Sequence, residues 1–203
     1  MRRTWVKVCG VTRVDDALAA VEAGADALGV NFVETSRRRC ATAEAGRIVA
    51  AVPTRVTVFG VFANASRREI AAILAQTAVG GLQFHGGEPV EDLRGWPVPV
   101  IRAVAVTDAV TSGEAVRDCG RWRVLLDSAR GGGSGERFDD ALVESQDLSS
   151  AIVAGGLSPA NVAEVVRRLE PWGVDVAGGV EGDDPGVKDH ALIREFVLNA
   201  RTA

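Results

Sequence analysis

The stretch Ala151-Ile152-Val153-Ala154-Gly155-Gly156-Leu157-Ser158-Pro159 holds the clearest indication of the fold. A short apolar run ends at two glycines, and Ser158-Pro159 then offers an N-cap with proline at the first helical position. Apolar residues next recur at helical spacing, as Val162, Val165, Val166 and Leu169. Val174-Asp175-Val176 begins another run. The order strand, turn, helix, strand is that of a β-α-β unit with parallel strands.

The same unit recurs along the chain. Eight short runs rich in β-branched residues are spread over 203 residues, at positions 6–8, 27–30, 56–62, 81–84, 98–101, 123–126, 151–154 and 174–176. Most are continuous apolar runs, as expected for parallel strands that are covered on both faces. Eight such units predict an α/β fold, a single (β/α)₈ TIM barrel of minimal size over residues 1–203. An open doubly wound sheet is disfavoured because it usually has about five or six strands and a G-x-G-x-x-G motif after the first.

Further helices are predicted from caps and apolar spacing. Ser66 and Glu69 have the spacing of a capping box. The stripe behind them consists of Ile70, Ile73, Leu74 and Thr77. Asp189 precedes a second stripe, which consists of Leu192, Ile193, Phe196, Val197 and Ala200. A shorter stripe near the amino terminus consists of Ala17, Leu18 and Val21. Each stripe predicts a helix with one apolar face.

The composition excludes several classes of protein. The chain is 47% hydrophobic and 25% charged, which argues against disorder. No apolar stretch approaches the ~18 residues of a membrane helix, and Lys7 interrupts the one candidate for a signal peptide. The formal net charge of −4 argues against a nucleic-acid binder. We therefore expect no membrane partner and no nucleic-acid partner.

Cysteine usage indicates the compartment. Cys9, Cys40 and Cys119 are odd in number and widely spaced, with no C-x-x-C pair and no Cys/His cluster. A structural zinc site and a disulfide framework are both disfavoured, so no metal site is predicted and a reducing cytoplasm is the expected location.

Polar residues and glycines gather where the predicted strands end, which is the edge that carries the chemistry in such barrels. They are Cys9, the arginines 37–39, Asn64, His85, Asp127, Gly155-Gly156 and Gly178-Gly179. Backbone N–H groups approach a phosphate most closely where side chains are absent, and the loops after strands 7 and 8 commonly form a phosphate site. The glycine pairs therefore predict phosphate binding, completed by Ser134-Gly135, with plain turn glycines as the alternative.

The residues by themselves leave several roles open. Cys9 is either catalytic or an inert core residue, since lone cysteines are often buried. Asp127 directly follows an apolar run, where a carboxylate is costly unless it is paired or faces a cleft. His85 is interpreted as a scaffold or substrate-positioning residue. An arginine of the run 37–39 could bind an anionic group, and Lys7, on the same strand face as Cys9, is expected to point into the barrel mouth.

A series of motifs follows in order along nearly the whole chain. They are Lys7-Val8-Cys9-Gly10-Val11-Thr12, Gly24-Ala25-Asp26, Ser36-Arg37-Arg38, Gly60-Val61-Phe62-Ala63-Asn64, Gln83-Phe84-His85-Gly86, Leu126-Asp127, Gly132-Gly133-Ser134-Gly135, Ala154-Gly155-Gly156-Leu157, Gly179-Val180-Glu181 and Pro185-Gly186-Val187-Lys188-Asp189. In order and spacing they resemble phosphoribosylanthranilate isomerase, a small barrel enzyme of tryptophan biosynthesis.

The resemblance implies an Amadori rearrangement of N-(5-phosphoribosyl)anthranilate, without a metal or redox cofactor. Asp127 would be the general acid that opens the furanose ring, and Cys9 the general base that removes the C2′ proton. Arg38 would hold the anthranilate carboxylate. The expected substrate-binding residues are Lys7, Arg38, His85, Ser134, Gly135, Gly155, Gly156, Gly178 and Gly179. The partner is thus a small phosphorylated substrate, and the chain is expected to be a monomer or a homodimer.

The chain departs from the family pattern at a few positions. Arg37 and Arg39 replace a proline and an aromatic residue, Asn31 stands at a position that is often apolar, and Ala177-Gly178 replaces serines. Three alternatives stay open. They are a paralogue for a related phosphoribosyl substrate in specialised metabolism, the phosphate-barrel isomerase shared by histidine and tryptophan synthesis, and a non-catalytic barrel that binds a phosphorylated ligand. The second is disfavoured by Cys9 in place of an aspartate and by the lack of a clear half repeat.

Overall fold

Eight parallel strands close into a barrel in chain order in this computed structural model, which describes residues 3–117, 122–128, 137–184 and 186–203. They are β1 Trp5–Cys9, β2 Ala27–Asn31, β3 Thr57–Phe62, β4 Gly81–Phe84, β5 Val100–Val106, β6 Arg123–Ser128, β7 Ala151–Val153 and β8 Gly173–Val176. The last strand pairs with the first, which places Lys7 beside Asp175. The predicted (β/α)₈ barrel is confirmed.

Six α-helices lie along the described chain. They are α1 Val14–Ala23, α2 Thr42–Ala51, α3 Arg67–Thr77, α4 Ala109–Arg117, α5 Val162–Leu169 and α6 His190–Thr202. The prediction of a helix after every strand is wrong between β4 and β5, where a 3₁₀ turn at Val90–Leu93 makes the connection. Gly95, with a φ of +71°, comes two residues after this turn, and Pro97 and Pro99 follow, so the turn has no length over which to continue as an α-helix. Of the described residues between β6 and β7, only Asp140–Leu142 form a helical turn, also 3₁₀.

The capping predictions differ in outcome. The capping box of α3 is confirmed, since the Ser66 side chain accepts from the Glu69 N–H and the Glu69 side chain accepts from the Ser66 N–H. Asp189 caps α6 through the N–H groups of Ala191 and Leu192. The start of α5 at Ser158-Pro159 is wrong.

The helix α5 begins at Val162, after an N-cap at Asn161. Asn161 Oδ1 accepts from the Ser158 N–H at 2.9 Å, and its Nδ2 donates to the Gly156 carbonyl at 2.9 Å. These two hydrogen bonds hold residues 156–161 in a turn ahead of the helix, so the helix begins later than predicted.

The apolar core has two parts. One lies between the sheet and the helices, where α6 buries Ile193, Phe196, Val197 and Ala200 as predicted, although Leu18 of α1 is exposed. The other fills the barrel interior and consists of Ala27, Phe59, Ile101, Leu125, Ile152 and Ala154, with Trp5, Ala103 and Trp172 packed against them. The inner cluster reaches the carboxyl ends of the strands at Ala154, which borders a cavity at that end of the barrel. No helix in the described ranges is long and apolar enough to cross a membrane.

Candidate active site

A cavity of ≈ 800 Å³ opens at the carboxyl ends of the strands. Its lining includes residues at or just after seven of the eight strands, among them Cys9, Asn31, Ala63, Gln83, His85, Asp127, Gly155 and Asp175. The side chains predicted to gather at this edge do so because parallel strands bring their carboxyl ends to one face of the barrel.

Cys9 lies above a buried ion pair. The Lys7 ammonium donates to both oxygens of Asp175 at 3.0 Å, across the seam between β1 and β8. Lys7 is 0% exposed and does not line the cavity, so its predicted place in the barrel mouth needs correction. The strand face was right, but the ammonium is turned onto Asp175, since a buried lysine without a counter-charge would be far more costly. Any effect of Lys7 on a ligand therefore passes through Asp175 or Cys9.

Gly29 leaves space for the side chains of Cys9 and Lys7. A Cβ at position 29 would lie 2.7 Å from Cys9 Sγ and 3.1 Å from Lys7 Nζ. Burial raises the pKa of the Cys9 thiol, and the nearby Lys7 charge offsets only part of this effect. Burial opposes the charged form of Lys7 as well, but Asp175 and Cys9 outweigh it and raise the Lys7 pKa. The site thus holds a lysine that stays protonated beside a thiol whose pKa lies above its usual value.

Asp127 belongs to a hydrogen-bonded chain of side chains. His85 Nε2 lies 3.1 Å from Asp127 Oδ2, and Gln83 Nε2 lies 3.1 Å from His85 Nδ1. The Ser128 N–H donates to Asp127 Oδ1 at 2.8 Å. A Cβ at Gly155 would come within 2.7 Å of Asp127 Oδ1, so the bare backbone at Gly155 gives the carboxylate its space. Both oxygens of Asp127 are therefore held in place at the cavity wall.

Arg38 lines the cavity and is buried against a second carboxylate. Its Nε and Nη2 donate to Glu181 Oε1 and Oε2 at 2.5 and 2.9 Å. Lys188 Nζ donates to Glu181 Oε1 at 3.1 Å and to the Ala177 carbonyl at 2.9 Å. Burial would raise the pKa of Glu181, but the hydrogen bonds from Arg38 and the charge of Lys188 outweigh it and hold the pKa below its usual value. Glu181 is an ionised carboxylate inside the wall of the site.

The glycine loops after β7 and β8 meet at one side of the cavity. A Cβ at Gly179 would lie 1.9 Å from the Leu157 carbonyl oxygen, which only a glycine permits. Gly155 and Gly156 have φ values of +76° and +60°. Among the described residues, no other group accepts a hydrogen bond from the N–H of Gly156, Gly178 or Gly179. The predicted Ser134 and Gly135 lie outside the described residues.

Several functional candidates were missed from the sequence. Asp175 and Lys188 stand in or near apolar runs, and the argument that drew attention to Asp127 applies equally to Asp175. Glu181 was quoted in a motif without a role. The signal for Gln83 is weaker, since only the structure shows that it is buried against His85.

The structure also shows where Asn31 and Arg39, which depart from the family pattern, and the thiol of Cys40 lie. Asn31 Oδ1 accepts from the Val33 N–H at 2.8 Å, so it shapes the loop after β2. Arg39 lies near Glu34 at the exposed side of this loop. Cys40 is buried in the core, and burial raises its pKa to about 11. Cys119 lies outside the described residues.

The profile of the N-(5′-phosphoribosyl)anthranilate isomerase family matches residues 6–199. The enzyme of that name from Pseudomonas fluorescens strain Pf0-1 is 44% identical over 96% of this chain and 97% of its own. The crystal structure of phosphoribosylanthranilate isomerase from Thermotoga maritima superposes with a TM-score of 0.89 at 35% identity, covering 98% of this chain and all of that one. Another, in complex with reduced 1-(o-carboxyphenylamino)-1-deoxyribulose 5-phosphate, has a TM-score of 0.86 at 33% identity, with 98% and 100% coverage. The chain therefore belongs to the phosphoribosylanthranilate isomerase family, the TIM-barrel isomerases of tryptophan biosynthesis.

Proposed function

We propose that this chain converts N-(5-phosphoribosyl)anthranilate into 1-(2-carboxyphenylamino)-1-deoxyribulose 5-phosphate, with Asp127 as general acid and Cys9 as general base. One observation carries the assignment of the two residues. Cys9 ends β1 and Asp127 lies in β6, two strands that are separated in the barrel by β7 and β8, and yet both side chains line one cavity. A sugar bound between them would meet an acid on one side and a base on the other.

The acid step opens the ring. Asp127 donates its proton to the furanose ring oxygen, the bond from C1′ to that oxygen breaks, and the nitrogen lone pair forms a Schiff base with C1′. Support comes from the fixed orientation of the carboxyl group between His85 and the Ser128 N–H. A group held in this way keeps its position while the substrate changes shape.

The base step moves the double bond. The Cys9 thiolate takes the proton from C2′, the electron pair of that bond forms the C1′–C2′ double bond, and the nitrogen recovers its lone pair. The resulting enolamine tautomerises to the ketone. C1′ is reduced and C2′ is oxidised within one molecule, so the balance needs no external redox partner.

The two anionic ends of the substrate have candidate sites on different walls. The phosphate would accept hydrogen bonds from the N–H groups of Gly156, Gly178 and Gly179, which have no acceptor in the described part of the chain. Ser134 and Gly135 stay predicted members of this site. Arg38 would bind the anthranilate carboxylate. The cytoplasmic location and the choice between monomer and homodimer stay predictions.

The test is the loss of phosphoribosylanthranilate fluorescence when purified protein is added to substrate that is generated in situ. We expect turnover well above the uncatalysed background. The absence of turnover under conditions in which a known member of the family is active would contradict the proposal and favour a non-catalytic ligand-binding barrel. Turnover of only a modified substrate would favour the specialised paralogue.

A further inference from the structure

The guanidinium of Arg38 has two edges that can each hold a carboxylate, and the protein itself occupies one of them. A guanidinium presents five N–H groups in a plane, so one carboxylate can bind at the Nε edge and a second at the end formed by Nη1 and Nη2. Glu181 takes Nε and one N–H of Nη2. Within the described parts of the chain, Nη1 makes no hydrogen bond, and Arg38 lines the cavity. The end of the guanidinium is the edge that a ligand can use.

Two close approaches and a second ion pair fix the direction of Arg38. Its aliphatic stem passes so close to Gly10 that a Cβ there would lie 2.5 Å from Cδ. Its Nη2 lies 3.0 Å from the position that a Cβ of Gly178 would take. Glu181 is in turn held by Lys188, whose ammonium is 0% exposed. The arginine is thus packed between two glycines and bound by a carboxylate that cannot move away from Lys188 without breaking a buried ion pair.

We propose that Glu181, held by Lys188, is a positioning residue that turns the Nη1–Nη2 end of Arg38 toward the cavity and thereby sets the selectivity of the site for a substrate with an aromatic carboxylate. This inference rests on the proposed function, because it explains how Arg38 performs the role given to it there. Glu181 itself does not touch the substrate carboxylate. A negative charge so close to an anion would weaken binding if its orienting effect on Arg38 did not outweigh the repulsion.

Two reduced product analogues separate orientation from general damage. The first is reduced 1-(o-carboxyphenylamino)-1-deoxyribulose 5-phosphate, and the second is the same compound made from aniline, without the carboxylate. Their dissociation constants are measured by calorimetry for the wild type, Glu181→Gln and Glu181→Asp. Glu144→Gln is the matched control, since Glu144 makes the same two-point pair with Arg168 on the exposed surface.

We expect Glu181→Gln to weaken binding of the carboxylated analogue about ten-fold or more, because a misdirected group loses both hydrogen bonds at once. Binding of the aniline analogue should change little. Glu181→Asp keeps the charge but shortens the side chain, so it should show the same selective loss to a smaller degree. Glu144→Gln should bind both analogues as the wild type does. In kinetics with the substrate, KM should rise more than kcat falls.

Three results would overturn the inference. Equal weakening of both analogues would mean that Glu181 only supports the fold. Tighter binding of the carboxylated analogue by Glu181→Gln would mean that Glu181 acts only as a repelling charge. Unchanged binding of both would mean that Arg38 needs no positioning. If Glu181→Gln does not fold, Glu181→Asp decides by the same comparison. Loss of wild-type turnover would instead reject the proposed function, which is measured separately.

Discussion

Cys9 is surrounded by charges of both signs, and their balance governs its chemistry. Lys7 and Lys188 favour the thiolate, Asp175 opposes it, and burial opposes it most strongly. The result is a pKa above the usual value of a thiol. A buried base of this kind is mostly protonated at neutral pH, so the fraction that can accept a proton grows as the pH rises.

We therefore predict that the rate at which iodoacetamide alkylates Cys9 rises with pH between about pH 7 and 10. The sign follows from thiol chemistry, because the thiolate is the reacting form and the raised pKa moves its formation to higher pH. Replacement of Lys7 by Met removes a charge that lowers the pKa of Cys9, so the alkylation rate should rise only at higher pH in that variant. Mass spectrometry of the Cys9 peptide across this range measures the rate in both proteins. A rate that is flat or falls with pH in the wild type would contradict the raised pKa of Cys9.

Removal of either reacting group should stop turnover without unfolding the protein. Cys9→Ala and Asp127→Asn are each expected to lower kcat by about 10²–10⁴-fold, the usual size of a general acid or base effect. Cys40→Ala is the matched control, since Cys40 is a core thiol away from the cavity and should leave turnover near the wild-type rate. Circular dichroism would check the fold. Near-normal rates in Cys9→Ala or Asp127→Asn would refute the role of that residue.

At the scale of elements, a glycine in a strand and a glycine in a helix affect the stability of the fold in opposite ways. Gly81 begins β4 beside Phe59 of β3, and a Cβ on Gly81 would lie 2.4 Å from the Phe59 ring. The small residue lets a large ring fill the barrel interior. Gly46 lies inside α2, and the nearest atom to a Cβ there is the Gln76 carbonyl oxygen at 3.9 Å. Packing requires the first glycine and does not require the second.

Two glycine-to-alanine changes should therefore shift stability in opposite directions. Gly81→Ala is expected to lower the free energy of unfolding by about 1–3 kcal/mol through overpacking against Phe59. Gly46→Ala is expected to raise it by about 0.5–1 kcal/mol, because alanine loses less backbone entropy in a helix. Urea unfolding followed by tryptophan fluorescence measures both. A destabilised Gly46→Ala would show that α2 needs the glycine for a reason other than its backbone.

At the scale of the whole molecule, the two ends of the chain are joined at the pole opposite the site. Arg201 in α6 donates to the carbonyls of Thr4 and Gly24 and pairs with Asp26 at 2.6 Å. Asp26 also accepts from the Val6 N–H at 2.8 Å. This cluster ties α6 to the start of β1 and to the α1–β2 turn, and so helps to close the barrel between its last and first units.

Loss of this tie should lower stability but not chemistry. Arg201→Met is expected to reduce the free energy of unfolding by about 1–3 kcal/mol, because the carbonyls of Thr4 and Gly24 and the partly buried Asp26 each lose one charged donor. Arg47→Met removes an exposed pair with Glu44 and should change stability by less than about 0.5 kcal/mol. Thermal unfolding compares the two, with KM as the check on the site. If both variants lowered the free energy of unfolding equally, the Arg201 cluster would stabilise the fold no more than an exposed ion pair does.

Much of this architecture could be predicted from local patterns. The spacing of apolar runs gave the strand count and their parallel direction, and the cap at Ser66 located a helix start. Predictions failed where a local signal competed with the path of the chain, as at Ser158-Pro159, where the turn runs on to Asn161. The prediction of a helix between β4 and β5 was wrong for a related reason. The length of this segment suggested a helix, but its prolines and glycines did not allow one. That residues 1–203 form a single domain stays a prediction.

The sequence by itself determined the barrel and the edge on which its reactive groups lie, because both follow from a repeating period and from what stands at the end of each strand. Only the tertiary structure decided which side chains reach the cavity. Lys7 and Asp175 are 168 positions apart, and only the closure of β8 onto β1 makes them partners, which buries the Lys7 ammonium against Asp175. The same holds for Arg38 and Glu181, 143 positions apart, since the free edge of a guanidinium depends on which edge a distant carboxylate already holds.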